Sequence, residues 1–298
     1  MKISVDDMPS PRDWYNFLDR LILWLGVVSM AISVLFLFAY NWDLFGRYAK
    51  FGLIEMLILM TIVAYTLVDT ETLIAKALLL VSSILLGVLL AFFGQTYQTG
   101  ADPWQLFFNW ALLMLPWVML GRFSALWIVW VILINLSLLL YVNVYDGLFS
   151  FIFVSKFHYY WIVFIFNTAV WAFWEMLSSK FIWLDDGWSI RFLALASGFS
   201  ITALMFDTIF GSFDIWIVSI WAVWIISVYY IYLYRIPNLF ILAVLSLSLG
   251  SITIAMFGRQ IFDSSDFGDY LYMSIVVVSV GTLLGYWLQR LHRRISDE

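Results

Sequence analysis

"LIAKALLLVSSILLGVLLAFF", residues 73–93, carries one charged side chain, Lys76, in 21 positions. As a helix rising 1.5 Å per residue it is about 32 Å long, close to the hydrocarbon thickness of a bilayer. "GQTYQTGADPW", residues 94–104, follows without a single Val, Ile, Leu, Met or Phe, and "WQLFFNWALLMLPWVML", residues 104–120, is apolar again. Two membrane spans joined by a polar turn account for this pattern, and similar runs recur to the end of the chain. Of the 298 residues 64% are hydrophobic and 12% charged, about half the charged share of an average soluble domain. The apolar runs are continuous, whereas a membrane β-barrel alternates over segments of about 10 residues. The expected fold is all-α: a polytopic integral membrane bundle.

Ten spans are expected, near 21–40, 51–68, 73–93, 104–120, 124–143, 159–177, 190–209, 215–234, 237–257 and 270–288. They divide the chain into a lead-in (1–20), a single transmembrane domain (21–288) and a basic tail (289–298). Residues 146–160 read either as an interfacial helix or as a further span. Lys and Arg concentrate in cytoplasmic loops. With both termini inside, Lys2, Arg12, Arg20, Lys76, Arg122, Lys180, Arg191, Arg235, Arg290, Arg293 and Arg294 face the cytoplasm, and Arg47, Lys50, Lys156 and Arg259 face outward. Eleven against four of the 15 basic residues favours this N-in, C-in orientation. With Asp6, Asp7, Asp13 and Asp19 in its first twenty residues and too long an apolar run after them, the start is not expected to be a removable signal peptide. Ser10-Pro11-Arg12-Asp13 reads instead as a capping box opening an amphipathic helix, with Trp14, Phe17, Leu18, Leu21 and Ile22 on one face.

The chain has no cysteine and two histidines, His158 and His292, so thiol chemistry, disulfides and Cys-held metals are excluded, and no metal site or cofactor is expected. A net charge of −5 without a basic patch points away from nucleic acid. No hydrolase elbow, phosphate loop or HExxH motif occurs, and no catalytic residue is assigned.

In this topology 94–104 lies on the outer face. Asp102 is the expected cap of span four, with Pro103 at its first position. Asp102, Gln105 and Asn109 share a helical face that enters the bilayer by about 10 Å; lipid cannot satisfy such a stripe. Gln95, Tyr97 and Gln98 join it, as do Asn41 and Asp43 at the end of span one, Glu55 in span two and Asp207 near the outer end of span seven. These ten form the candidate outer-face site. Glu55 is read as paired with Lys50 or Arg47, or else as a proton- or cation-binding group. Asn135 and Asn167 are read as hydrogen-bonding between helices, and Glu175 as interfacial. "WAFW" and the other Trp-rich runs are read as anchors or packing. Aligning "AFFGQTYQTGAD" (91–102) with "AMFGRQIFDSSD" (255–266), at a shift of 164 residues, suggests that spans one to four and seven to ten are a parallel repeat.

"AYNWD" closing the first span and "FGQTYQTGAD…WALLMLPW" across spans three and four resemble the bacterial membrane-protein family called domain of unknown function 2157. The matching residues are Asn41, Trp42, Asp43, Gly94, Gln95, Tyr97, Gln98, Thr99, Gly100, Asp102, Trp110, Pro116 and Trp117. The resemblance is best over the first 120 residues and implies a bacterial cytoplasmic (inner) membrane protein, with no activity attached. Three functions remain in view. The first is a permease or channel-like protein with an outward-facing polar site. The second is a non-catalytic subunit or envelope sensor docking a membrane partner or a second copy. The third, an intramembrane enzyme acting on lipid, ranks last.

Overall fold

The computed structural model describes residues 10–40, 46–144, 158–184, 186–261 and 267–297, and every regular element among them is helical. In chain order these are α1 (Pro11–Tyr40), α2 (Arg47–Leu67), α3 (Leu73–Tyr97), α4 (Pro103–Gly121), α5 (Ser124–Val144), α6 (His158–Ser178), α7 (Gly187–Phe210), α8 (Ile215–Tyr230, closing in a π turn over Ile231–Arg235), α9 (Leu239–Ile261) and α10 (Phe267–Asp297). Among the described residues nine helices, α2 to α10, are long and apolar enough to cross a membrane. They coincide with the second to tenth expected spans. The first falls within α1, a single 30-residue helix that also takes in the lead-in; no glycine follows Pro11 until Gly26 to interrupt it. The ambiguous segment 146–160 lies outside the described residues except for its last three, which open α6.

The helix starts follow local chemistry. The Ser10 hydroxyl and backbone N–H both donate to the Asp13 carboxylate (2.7 and 2.9 Å), and the Asp13 N–H returns a bond to the Ser10 hydroxyl at 3.3 Å. The capping box forms as expected. The hydroxyl bond, helped by the backbone one, holds the Asp13 carboxyl below its ordinary range. Thr72 caps α3 by accepting from the Ala75 N–H, Asp214 caps α8 by accepting from Trp216, and Asn238 caps α9 by accepting from Phe240.

Contacts divide the chain into two compact units, Met1–Ser137 and Leu138–Glu298. In the first, α3 touches α1, α2 and α4. Leu79, Leu80 and Leu86 of α3 pack with Ala111, Met114 and Val118 of α4 and with Leu126 and Leu133 of α5. Ile54 and Ile58 of α2 pack with Leu85 and Phe92 on another side of α3. Close approach of α4 depends on small residues, as is usual between membrane helices. Gly87 lies under the Trp110 ring, where a Cβ would come within 2.4 Å of the ring carbons. The Trp110 indole N–H donates to the Ser83 carbonyl at 2.8 Å.

The second unit is organised around α7, which touches α6, α8 and α9, while α9 also touches α10. Hydroxyls join these helices. Ser197 of α7 shares a 2.6 Å bond with Thr168 of α6 and accepts from the Trp224 indole of α8 at 3.2 Å. Ser248 of α9 does the same with Thr202 of α7 (2.6 Å) and the Trp221 indole of α8 (3.2 Å). Such bonds between membrane helices are worth roughly 0.6 kcal/mol each and up to about 2. Asn135 and Asn167 donate to the carbonyls four residues earlier in their own helices, Val131 and Val163. Large apolar side chains such as Leu59, Phe199, Ile226, Leu247 and Leu283 are exposed, as lipid-facing residues are.

Candidate functional site

The polar stretch that parts spans three and four folds in two pieces. Residues 94–97 extend α3 rather than leaving it, because a helix exposed at a membrane surface needs no apolar side chain to continue. The turn proper is confined to 98–102. Gln98 ends α3 in the left-handed region (φ 43°) and Gly100 follows at φ 64°, the backbone reversal that commonly closes helices. Pro103 then opens α4.

Asp102 occupies the cap position, but the structure corrects the expected role of its side chain. Its own carbonyl takes the Gln105 N–H at 3.0 Å, Pro103 has no N–H to give, and the carboxylate makes no capping bond. It is left facing a cleft of about 470 Å³. Gln95, Gln98, Gln105 and Asn109 line the same cleft, with the 99–101 backbone and apolar walls from Leu90, Phe93 and Leu106. Among the described residues none of these five polar side chains bonds to another protein group. Asp102 and Gln105 are half-buried, and Gln95, Gln98 and Asn109 are exposed. One carboxylate, four carboxamides and an exposed turn therefore surround one space, and among the described residues Asp102 is the one charged member of the lining.

Half of the expected cluster thus converges. Tyr97 stands behind it: its ring lies 4.8 Å from Phe93 and 5.9 Å from Phe51, tying the end of α3 to α2. Glu55 is exposed on α2 and outside the cleft, and its expected pairing with Lys50 or Arg47 does not form. Five residues of helix put Lys50 about 140° around the axis, and eight put Arg47 about 12 Å along it. Arg47 instead donates to the hydroxyl of Tyr48 at 3.2 Å and lies 4.9 Å from its ring centre. Asp207 belongs to the second unit and lines a different pocket of about 520 Å³ with Tyr160, Phe199, Phe206 and Gly211. Asn41 and Asp43 lie outside the described residues.

Sequence reasoning missed the walls, Leu90, Phe93 and Leu106. Leu90 and Phe93 fall five and two residues before Gln95, and the periodicity of α3 alone did not mark them. The cleft offers hydrogen-bond donors and acceptors and one negative charge. Among the described residues no hydrogen bond joins the Thr99 hydroxyl of the lining to the Asp102 carboxylate, and no three His, Cys, Asp or Glu side chains gather to hold a metal.

No curated protein and no solved structure matches the chain. The chain is a multi-pass helical membrane protein, and its residues 6–127, which contain the whole cleft, are similar to the family described as "Predicted membrane protein (DUF2157)".

Proposed function

We propose that the cleft between α3 and α4 is the outward-facing binding site of a permease-like protein of the bacterial inner membrane, and that it takes a small polar solute, neutral or singly cationic. One observation carries this: five polar side chains converge on a space of about 470 Å³, and among the described residues none of them bonds to another protein group. Polar groups at membrane depth that are not bonded within the protein face water or a ligand. The distribution of Lys and Arg supports the N-in, C-in orientation that places the cleft outside.

The helix limits support the parallel repeat. α3 ends at Tyr97 and α9 at Ile261, while α4 begins at Pro103 and α10 at Phe267; both pairs are separated by the 164 residues of the sequence match. In each set of four, the third helix touches the other three.

The test uses the cysteine-free background. Thr99→Cys in intact cells should react with a membrane-impermeant maleimide, and Ser296→Cys only after lysis. Reaction of Thr99→Cys should then slow in the presence of a bound solute, with sodium, a small amine and a neutral polyol as the first three trials. Labelling of Thr99→Cys only after lysis would reverse the orientation. Free labelling that no solute slows would remove the binding site.

Glu55 favours a second reading. It sits eight residues into α2, about 12 Å along the helix, and is exposed beside Met56, Leu59 and Met60. A carboxylate there is costly in lipid, so this face of α2 would be covered by a partner helix or by α2 of a second copy. A hydrophobic carbodiimide should modify Glu55 in the isolated chain and spare it in native membranes. Equal modification in both would remove the partner.

A further inference from the structure

Two residues of the cleft stand where helix physics alone would not put them. Gly94 lies near the end of α3 with ordinary helical backbone, where glycine is less stable than alanine. Nothing crowds it: among the described residues a Cβ there would meet no heavy atom within 4 Å. Four residues on, Gln98 takes the left-handed position (φ 43°) that glycine would fill without strain. Both line the cleft. The end of α3 thus omits a side chain where one would narrow the space, and keeps a carboxamide where the backbone favours none. A second space of about 530 Å³, the groove between α6 and α8, differs: its Trp171, Tyr232 and Glu175 side chains hydrogen-bond in a chain.

We infer that the solute of the cleft is a sugar ring, a pyranose lying over Gly94 against Phe93 with its hydroxyls bonded by Gln98, Asp102, Gln105 and Asn109. This rests on the reading of the cleft as a binding site and names what fills it. Each of the four carboxamides carries two N–H donors beside an acceptor oxygen, whereas the Asp102 carboxylate only accepts. A cation would use the acceptors and face the N–H groups as well; an anion would face the carboxylate. A hydroxyl both donates and accepts, so neighbouring hydroxyls use both halves of this lining. The walls call for a ring. Phe93 is 48% exposed, and its ring is braced by Tyr97 at 4.8 Å and Phe51 at 6.4 Å. With Leu90 and Leu106 it offers an apolar surface to the C–H face of a pyranose. A preformed ring also loses less freedom on binding than an open-chain polyol. The volume of about 470 Å³ falls within the usual range for small-molecule sites.

The experiment is saturation-transfer NMR on the full chain in phosphatidylcholine nanodiscs, with methyl β-D-glucoside, methyl β-D-galactoside, sorbitol and ethanolamine as probes. The two pyranosides should receive saturation, most strongly at ring C–H protons, and sorbitol should bind about ten-fold more weakly. Gly94→Leu fills the floor without a clash and should abolish the pyranoside signal, with helical circular dichroism unchanged. Gln105→Met keeps the length of the side chain, removes its donors and acceptor, and should weaken binding about ten-fold. A pyranoside signal that Gly94→Leu leaves unchanged would overturn the assignment. So would preferential binding of sorbitol or ethanolamine, which would leave the cleft a site for another solute. Absence of a pyranoside signal overturns the sugar alone if some other solute still protects Thr99→Cys, and the site with it if none does. The ring can arrive as a free sugar or as the headgroup of a glycolipid. Glucosyldiacylglycerol built into the discs should displace the glucoside if the source is lipid, and leave it bound if the source is a free sugar.

Discussion

The cleft of α3 and α4 and the groove of α6 and α8 are similar in volume, about 470 and 530 Å³, and opposite in how they use polar atoms. In the cleft, Asp102 and four carboxamides make no bond to another group among the described residues. In the groove, Trp171, Tyr232 and Glu175 form a chain, and Thr168, Ser197 and Trp224 form another. A polar residue in a membrane helix therefore means little by itself. What separates glue from site is whether its hydrogen bonds are consumed by neighbouring helices, as those of Tyr232, Thr168 and Ser197 are.

The largest test of this contrast concerns the scaffold behind the cleft. Gly87→Ala would drive a methyl group into the Trp110 ring, a bulky wall that also anchors to Ser83. We expect a loss of about 2 kcal/mol, read as a lower midpoint in denaturant titration followed by helical circular dichroism. Gly250→Ala meets the end of the Leu284 side chain at 2.5 Å, which can swing aside, and should cost under about 1 kcal/mol. Equal losses would show that the α3–α4 contact is no more rigid than that of α9 and α10.

Next comes the contrast itself. Tyr232→Phe leaves the Trp171 N–H and the Glu175 carboxylate without their shared partner and should destabilise by about 2 kcal/mol. Asp102→Asn should stay within about 0.5 kcal/mol of the parent while abolishing solute protection of Thr99→Cys. If Asp102→Asn unfolds the protein as readily as Tyr232→Phe, the carboxylate is structural and the cleft is not a site.

A smaller effect separates two left-handed helix ends. Gln98 (φ 43°) closes α3 within the cleft and Arg122 (φ 44°) closes α4 away from it. Glycine at either should relieve strain and stabilise by roughly 1 kcal/mol. Only Gln98→Gly should weaken solute protection, since backbone strain is retained where it serves a site.

The smallest effect should touch neither pocket. Hydrogen bonds hold the Asp13 carboxyl below its ordinary range, so its contribution to the start of α1 is complete above the unfolded value and is lost as pH falls through the lower, folded one. Amide exchange at Asp13 and Trp14 should accelerate on that acid side. Ser10→Ala should produce the same fraying at neutral pH.

Helix existence was written in the apolar runs, and several boundaries in single residues: Pro103 starts α4 and Ser10 with Asp13 starts α1. The polar face of α4 was equally plain, because Asp102, Gln105 and Asn109 recur at helical spacing. Less could be read where the deciding partner lies elsewhere in the chain. That the Asp102 carboxylate would not cap depended on the Gln105 N–H going to a carbonyl instead. The groove was overlooked although Thr168, Trp171 and Glu175 also recur at helical spacing. The residue that gives them meaning, Tyr232, is 57 positions beyond Glu175. "WAFW" read as anchoring aromatics, and so its first Trp was not recognised as a donor.

The last helix has a mechanical consequence. α10 runs unbroken for 31 residues, from the apolar segment at Phe267 through the basic stretch that ends at Asp297. At about 46 Å it exceeds the hydrocarbon by roughly half again. A stiff rod of that length cannot bend away a change in its lean: a tilt of about 20° carries one end some 16 Å sideways relative to the other. Arg290 and Arg293 therefore ride on a lever whose fulcrum is in lipid. Wherever bilayer thickness or α9 resets the angle of the shaft, the positive charges at its tip are moved with it.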